Sequence, residues 1–187
     1  MNRLRVQLWA CFVSTLAVAS TPGAELVRLT AENWDKYAPL GKEVDCIYGD
    51  YVLKNDKIVC VIANPVPTRH ANMTVRDVGG SIIDLTRVDR PNDQLSCYYP
   101  EARRFPLRFK EAFTYIRNDD VEKKVLFVPK PGSQELDGRG KSVHLTCMAD
   151  ATPGKPAVEI QYQLSDGEDS ILIRTLYANP HNEEIEV

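Results

Sequence analysis

Three hydrogen-bonding side chains stand close together in the most irregular polar stretch of the chain, residues 64–78. Arg69, His70 and Asn72 fall within four residues, between the prolines that end one apolar run and the glycines that precede the next. Guanidinium, imidazole and amide groups can each bond a sugar hydroxyl, so this cluster is a candidate ligand-binding loop. An ordinary surface loop has the same composition, and that alternative stays open.

A second candidate lies further along the chain, where two tyrosines precede a pair of arginines. Tyr98, Tyr99 and Arg103 belong to a turn-rich stretch over residues 86–112. Aromatic rings can stack on the faces of sugars, and an arginine beside them can bond hydroxyl groups. The alternative is that the tyrosines anchor the loop to the core. Together the two stretches predict carbohydrate as the ligand class.

Local motifs for catalysis or metal binding are missing from the sequence. The histidines His70, His144 and His181 have no H-x-H or H-E-x-x-H spacing, and there is no G-x-S-x-G elbow. Asp119-Asp120 and Glu183-Glu184 are adjacent pairs, so in a strand their carboxylates point to opposite faces and cannot converge on a glycosidic bond. We therefore expect no catalytic residue, no metal site and no cofactor in this segment.

Four cysteines follow the first 24 residues: Cys46, Cys60, Cys97 and Cys147. None forms a C-x-x-C pair, which argues against a zinc ribbon. In an oxidising compartment they could form up to two disulfides, with three connectivities allowed. Cys60 and Cys147 lie inside apolar runs, where a buried free thiol is an equal alternative.

The first candidate loop is framed by three predicted strands. Residues 51–53 and 58–62 form a hairpin, and its turn holds Asn55-Asp56, residue types that tolerate the left-handed backbone of tight turns. Residues 58–62 are apolar at consecutive positions, which predicts a strand covered on both faces or one passing between two sheets. Gly79-Gly80 precedes the third strand, residues 81–85, and predicts a bulge or a close backbone approach.

The rest of the chain repeats short strands and turns. One helix is predicted at residues 30–37, with Thr30 as its N-cap and with Trp34 and Tyr37 packing it onto the sheet. Further strands are predicted at residues 113–117, 125–128, 143–149, 158–164 and 170–178, with a Gly/Pro-rich connector at 129–141. The predicted fold class is all-β, an antiparallel β-sandwich or supersandwich with one short N-terminal helix.

Residues 1–24 have the features of a secretory signal peptide. Arg3 and Arg5 precede an uncharged apolar stretch, and residues 17–19 (AVA) offer a cleavage site, with Ala24 as a later alternative. The apolar stretch is short for a membrane span. We expect residues 25–187 to form a single secreted, periplasmic or cell-surface domain, with no membrane attachment once the signal is removed.

The charge balance argues against anionic partners. The 187 residues include 23 basic and 26 acidic ones. Removing residues 1–24 takes away two basic residues and no acidic one, which leaves a net charge of −5. An acidic domain without a basic stripe suits neither nucleic acid nor an anionic membrane surface.

Two segments resemble known β domains. Residues 49–58 (GDYVLKNDKI) and 78–85 (VGGSIIDL) resemble the N-terminal β domain of certain large secreted bacterial proteins, some of which continue into a PHP-type metallohydrolase domain. Together with residues 171–179 and 182–187, the pattern is similar to the galactose-mutarotase-like supersandwich. The resemblance implies further domains downstream. The PHP metal-binding histidine motif is absent from these residues, so that activity would belong to sequence beyond residue 187.

The function predicted from these features is a secreted, non-catalytic binding or accessory domain with carbohydrate as its ligand. One alternative is the N-terminal part of a mutarotase- or lyase-like sugar enzyme whose catalytic residues lie beyond residue 187. The other is a structural cell-surface domain. The alternating run at residues 182–187 fits either a domain truncated within a strand or a terminal edge strand.

Overall fold

The structure is a computed structural model that describes residues 23–41, 44–91, 95–99, 109, 111–118, 121–125 and 137–180. Within these ranges the chain forms ten strands and one short helix. The elements, in chain order, are β1 (Ala24–Arg28), α1 (Trp34–Tyr37), β2 (Tyr51–Lys54), β3 (Ile58–Ile62), β4 (Ile82–Arg87), β5 (Glu111–Asn118), β6 (Val121–Val125), β7 (Asp137–Gly140), β8 (Ser142–Ala149), β9 (Ala157–Ser165) and β10 (Leu172–Ala178).

The strands form two five-stranded antiparallel sheets. Sheet A has the order β4-β3-β2-β1-β7, and sheet B has the order β10-β9-β8-β5-β6. The two sheets face each other across a shared apolar core, and the single residue Lys141 separates β7 in sheet A from β8 in sheet B. The predicted all-β antiparallel sandwich is therefore confirmed.

The inner strands β2 and β3 of sheet A are buried on both of their faces. The inner face of sheet A and that of sheet B form the sandwich core, which contains Leu53 and Cys60 from one sheet and Leu145 and Tyr162 from the other. The opposite face of sheet A forms a second cluster, here called the outer core, beneath α1 and the loops. Every residue of β3 is buried as a result. This confirms the prediction of a strand covered on both faces.

Several boundaries differ from the predictions. β7 lies within the predicted connector, because its Asp-Gly-Arg-Gly backbone pairs with β1 although its residue types rarely favour strands. β1 itself was not predicted. The strand predicted at residues 125–128 is wrong at its start, since β6 ends at Val125, and residues 126–128 lie outside the described ranges.

The helix is shorter than predicted and begins at a different residue. Asn33, not Thr30, precedes α1, and it makes no side-chain capping bond to the helix. Its Oδ1 accepts a hydrogen bond from the Thr30 backbone N–H at 2.8 Å, and its Nδ2 donates to the Arg28 carbonyl at 2.9 Å. This side chain therefore ties the segment before the helix to β1. Trp34 and Tyr37 both contact the outer core, as predicted.

Asn55 in the β2–β3 turn joins the two sheets. Its Oδ1 accepts from the backbone N–H groups of Lys57 and Ile58, each at 2.9 Å. Its Nδ2 donates to the carbonyls of Ser165 and Glu168 in sheet B's β9–β10 turn, at 2.8 and 2.7 Å. The expectation that this turn uses a left-handed asparagine or aspartate is wrong. Among the described non-glycine residues, positive φ angles occur at Thr68 and Asp77 only.

Gly79-Gly80 combines both roles predicted for it. The pairing of β3 with β4 shifts register between Val61 and Ile62, opposite the start of the strand that follows these glycines. Gly80 has φ +78°, and a Cβ placed on it would come within 2.7 Å of Cγ in the Phe109 ring. Its carbonyl accepts a 2.7 Å hydrogen bond from the buried Tyr162 hydroxyl of sheet B. The glycine therefore permits a contact between the sheets.

Substituting Gly80 with alanine is expected to destabilise the sandwich by about 2–3 kcal/mol. The new Cβ would overlap the Phe109 ring, and alanine is strained at the positive φ of this position. Gly167→Ala is the matched control, because Gly167 has φ +71° and open space where the Cβ would lie. That variant should lose about 1 kcal/mol from backbone strain alone. Urea denaturation measures both values, and equal losses would show that the Phe109 contact does not matter.

Glu25 connects β1 with both α1 and β7. Its carboxylate accepts from the Tyr37 hydroxyl at 2.5 Å and pairs with Arg139, while Lys36 lies 3.8 Å away. Burial alone would raise the pKa of Glu25, but the hydrogen bonds from Tyr37 and Arg139 and the two positive charges lower it below 4.5. A carboxyl group whose pKa is lowered by folding stabilises the folded state at pH values above its unfolded-state pKa. This stabilisation is lost as the pH falls through the folded-state pKa.

Replacing Glu25 with glutamine should therefore reduce the free energy of unfolding at pH 7 by about 1 kcal/mol. The difference from the wild type should shrink as the pH falls below 4.5, the ordinary pKa of this carboxyl. Chemical denaturation between pH 7 and pH 3 measures the trend, with the exposed Glu168→Gln as control. A difference that stays constant over this range would contradict the assignment.

The described residues contain no helix long and apolar enough to cross a membrane. The predicted signal peptide falls on residues 1–22, which lie outside the described ranges, and on Gly23 and Ala24. Ala24 is fully buried and pairs with Gly140 as the first residue of β1. Cleavage after Ala24 would remove this residue from the sheet, whereas cleavage after Ala19 would leave β1 intact.

Candidate binding site

A buried ion pair between Asp50 and Arg69 lies at the centre of the candidate site. Asp50 Oδ2 is 2.6 Å from Arg69 Nη2, and Oδ1 accepts from Arg69 Nε at 3.2 Å. The same carboxylate accepts from the backbone N–H groups of Ile47 and Asn64, each at 2.9 Å. The side chains of Asp50 and Arg69 are 0% and 3% exposed. Both charges are therefore held inside the protein, with four hydrogen bonds to the carboxylate.

The remaining donors of Arg69 hold a second segment in place. Its Nη2 also donates to the Asp45 carbonyl at 2.9 Å, and its Nη1 donates to the His70 carbonyl. One guanidinium thereby joins residues 44–49 to residues 64–78. Arg69, predicted to contact a ligand, lies beneath the surface and positions the loop, because four of its donor bonds are used within the protein.

His70 is at the surface and bonds its own loop. Its Nδ1 accepts from the Asp77 backbone N–H at 3.0 Å, and 38% of its side chain is exposed. Asp77 has φ 54°, and Thr68 on the other side of this turn has φ 62°. A β-branched residue seldom adopts that conformation, so this stretch stores backbone strain.

Asn72 closes the outer tip of the loop. Its Oδ1 accepts from the Thr74 N–H at 3.0 Å, from the Thr74 hydroxyl at 2.9 Å and from the Val75 N–H at 2.9 Å. Its Nδ2 donates to Asp45 Oδ2 at 3.0 Å, with both side chains at the surface. The two segments thus meet again at an exposed amide–carboxylate pair.

The second candidate stretch lies against the first. The Tyr99 hydroxyl donates to the Arg76 carbonyl at 2.7 Å, and its ring packs on the outer core. This is the anchoring role that was left open for the tyrosines. Tyr98 pairs through its backbone with Ile82 and keeps 42% of its surface exposed. Arg103 lies outside the described residues.

Two surface features of the site were not predicted. Tyr48 is 61% exposed, and its ring meets Trp34 of α1 edge to face, with centroids 5.1 Å apart and planes at 87°. Asp45, three residues before Tyr48, presents its carboxylate to Asn72. We call Asp45, Tyr48, His70 and Asn72 the loop platform. The sequence signal was the Asp and Tyr content of residues 45–48, which lay outside any recognised strand or helix.

Three of the four cysteines are buried thiols with raised pKa values. Cys46, Cys60, Cys97 and Cys147 are all free thiols, and Cys97 alone among them is not buried. Burial raises the pKa of Cys147 to about 12 and also raises that of Cys60. Burial, with the nearby negative charges of Asp84 and Asp50, raises the pKa of Cys46 to about 12. Since the thiolate is the reactive form, these three thiols are poor nucleophiles at neutral pH.

Among the described residues, no three His, Cys, Asp or Glu side chains lie close enough together to hold a metal ion. Comparison with known proteins gave no significant match among family models, curated proteins or solved structures. The resemblance to supersandwich domains of secreted bacterial proteins therefore stays a prediction.

Arg69→Ala should lower the free energy of unfolding by about 3–5 kcal/mol, because it leaves the Asp50 carboxylate buried without its counter-charge. Arg76→Ala removes an exposed arginine from the same loop and should change stability by no more than about 0.5 kcal/mol. Denaturant titrations compare the two. A loss below about 1 kcal/mol for Arg69→Ala would show that the pair is not a structural requirement.

Proposed function

We propose that this chain is an exported, non-catalytic binding module whose ligand is a carbohydrate. The observation that supports the proposal is the loop platform, where two segments distant in sequence present an exposed tyrosine ring and several hydrogen-bonding side chains. These segments are fixed from below by the Asp50–Arg69 ion pair. The ion pair holds this surface in one conformation, and strained backbone of the kind seen at Thr68 clusters at functional sites.

The rigidity of the platform matters for binding. Ordering a flexible loop on a ligand costs free energy, whereas a loop fixed beforehand avoids that cost. Here the bonds from Arg69 and Asn72 hold the backbone before any ligand arrives. A sugar makes few contacts with a protein and binds weakly. Its affinity therefore benefits most when no free energy is spent on ordering the loop.

The chemistry of the platform suits sugar hydroxyls. His70 Nε2, Asp45 Oδ1 and the second Nδ2 hydrogen of Asn72 are not used by the hydrogen bonds within the loop and can bond hydroxyl groups. The exposed ring of Tyr48 offers an apolar surface for the C–H face of a pyranose. Without the two arginines of the signal peptide, the module has 21 basic and 26 acidic residues and a net charge of −5, which disfavours acidic ligands.

Export fits the same function, because polysaccharides outside the cell are the natural targets of such a module. Residues 1–24 supply the features of a signal peptide, and the place of Ala24 in β1 favours cleavage after Ala19. The resemblance to N-terminal β domains adds a further proposal, that this module is one part of a longer secreted protein.

Glycan-array screening and affinity gel electrophoresis of residues 20–187 test the proposal. We expect at least one polysaccharide to retard the protein. Tyr48→Ala combined with His70→Ala should then weaken binding at least tenfold, which corresponds to about 1.4 kcal/mol. Both side chains are at the surface, so circular dichroism and the denaturation midpoint should remain close to those of the wild type.

Tyr177→Ala is the matched control for Tyr48→Ala, since it removes an exposed tyrosine from sheet B. It should leave binding by the platform unchanged. A protein that no glycan in the array binds and no polysaccharide retards would contradict the proposed function. If the Tyr48→Ala/His70→Ala variant kept full affinity, the ligand would have to bind somewhere other than the loop platform.

A further inference from the structure

The two sheets differ in how their outer faces are covered. The outer face of sheet A is covered by α1 and the loops, whereas the outward-facing side chains of β9 and β10 in sheet B are half-buried or exposed. On β8, His144 and Met148 reach this face, while Ser142 and Thr146 are buried. We call this outer face of sheet B the open face. It follows from strict alternation: in β9 every second residue faces the sandwich core, and the residues between them face outward.

The strand register arranges the open face into rows that run across the sheet. Two neighbouring rows use its polar side chains, and they are His144–Gln163–Leu172 and Thr146–Gln161–Arg174. The three strands β8, β9 and β10 span about 10 Å at the usual strand spacing. The rows therefore form an extended strip rather than a single pocket.

Hydrogen bonds along the strands orient the polar groups of this strip. Gln161 Nε2 donates to Glu159 Oε1 at 2.6 Å, and Gln163 Nε2 donates to Ser165 Oγ at 3.4 Å. Each bond uses the amide nitrogen and turns the amide oxygen away from its strand neighbour. Among the described residues, the guanidinium of Arg174 has no hydrogen-bond or ion-pair partner, and it lies directly across from Gln161. The strip thus offers amide oxygens beside an available planar donor.

The next row adds apolar surface and balances the charge. Met148, Glu159 and Leu176 form this row, and Leu172 and Leu176 are 55% and 45% exposed. Glu159 and Arg174 carry opposite charges, so together they contribute no net charge. An anionic ligand such as nucleic acid would need several cationic groups. The core of a protein interface is apolar and depleted in charge, whereas here Gln161 and Arg174 form a polar row between the rows that hold Leu172 and Leu176.

We propose that the open face of sheet B is a second carbohydrate site, which binds an extended neutral polysaccharide across the strands. Gln161, Gln163 and Arg174 bond its hydroxyl groups, and Leu172 and Leu176 contact its C–H faces. This inference rests on the proposed function and adds a site to it. The planar amide and guanidinium groups favour adjacent hydroxyl pairs, which they can bond with two atoms at once.

The test uses affinity gel electrophoresis with neutral polysaccharides, namely xyloglucan, mixed-linkage β-glucan and galactomannan. It begins from the Tyr48→Ala/His70→Ala protein, so that the loop platform contributes little. We expect this protein to keep measurable retardation on at least one polysaccharide. Adding Gln161→Ala and Gln163→Ala should weaken the remaining binding at least tenfold. Arg174→Ala should also weaken it. The matched control Arg90→Ala, at an exposed residue three positions after β4, should not.

The outcomes separate this inference from the proposed function. If the platform variant loses all retardation while the wild type is retarded, the proposed function stands and the open face is not a site. If Gln161→Ala/Gln163→Ala leaves residual binding unchanged, the inference is likewise overturned. If no polysaccharide retards the wild type, both fail. A dimer seen by light scattering that Leu172→Ser and Leu176→Ser disrupt, without retardation, would assign the face to a second copy of the chain.

Discussion

The buried ion pair of Asp50 and Arg69 is the interaction on which the outer side of sheet A depends. Moving two charges out of water costs several kcal/mol each, and their mutual attraction offsets this only where the geometry is good and the other hydrogen-bonding atoms are satisfied. Here both carboxylate oxygens accept two hydrogen bonds, and the guanidinium also bonds two carbonyls. The pair is therefore well placed to fix its surroundings, since removing either partner leaves the other charge buried.

The position of the pair explains the layered architecture. Asp50 immediately precedes β2, and Arg69 lies in the loop that follows β3, so their contact folds residues 44–49 and 64–78 over the same face of sheet A. Apolar side chains beneath these segments then complete the outer core. Sheet A becomes an internal layer, and sheet B keeps an open face. The two candidate carbohydrate surfaces thus lie on opposite sides of one sandwich.

Much of the fold could be predicted from local patterns. Consecutive apolar residues in β3 indicated burial on both faces, alternation indicated the strands of sheet B, and Gly79-Gly80 indicated the close approach now seen at Phe109 and Tyr162. Each of these signals depends on residues that are neighbours in sequence. β7 had no such signal, because its pairing with β1 is made by the backbone of a glycine-rich segment.

The roles of individual polar residues were harder to predict, because their partners are far away in sequence. Arg69 looked like a ligand-binding residue, yet its partner Asp50 lies 19 residues earlier. Asn55 looked like a turn residue, yet it bonds carbonyls 110 and 113 residues later. Composition singled out residues 64–78 as one candidate loop. Only the three-dimensional contacts divide its side chains into those that hold the loop and those that a ligand can reach.

Amide hydrogen exchange at Ile47 and Asn64 tests the central claim most directly, because both N–H groups donate to the Asp50 carboxylate. If the ion pair fixes the two segments, these amides should exchange orders of magnitude more slowly than exposed loop amides, and Arg69→Met should remove most of that protection while the amides of β9 remain protected. Exchange at Ile47 and Asn64 as fast as at exposed residues of the wild-type protein would contradict the account. Protection that survives in the Arg69→Met protein would contradict it equally.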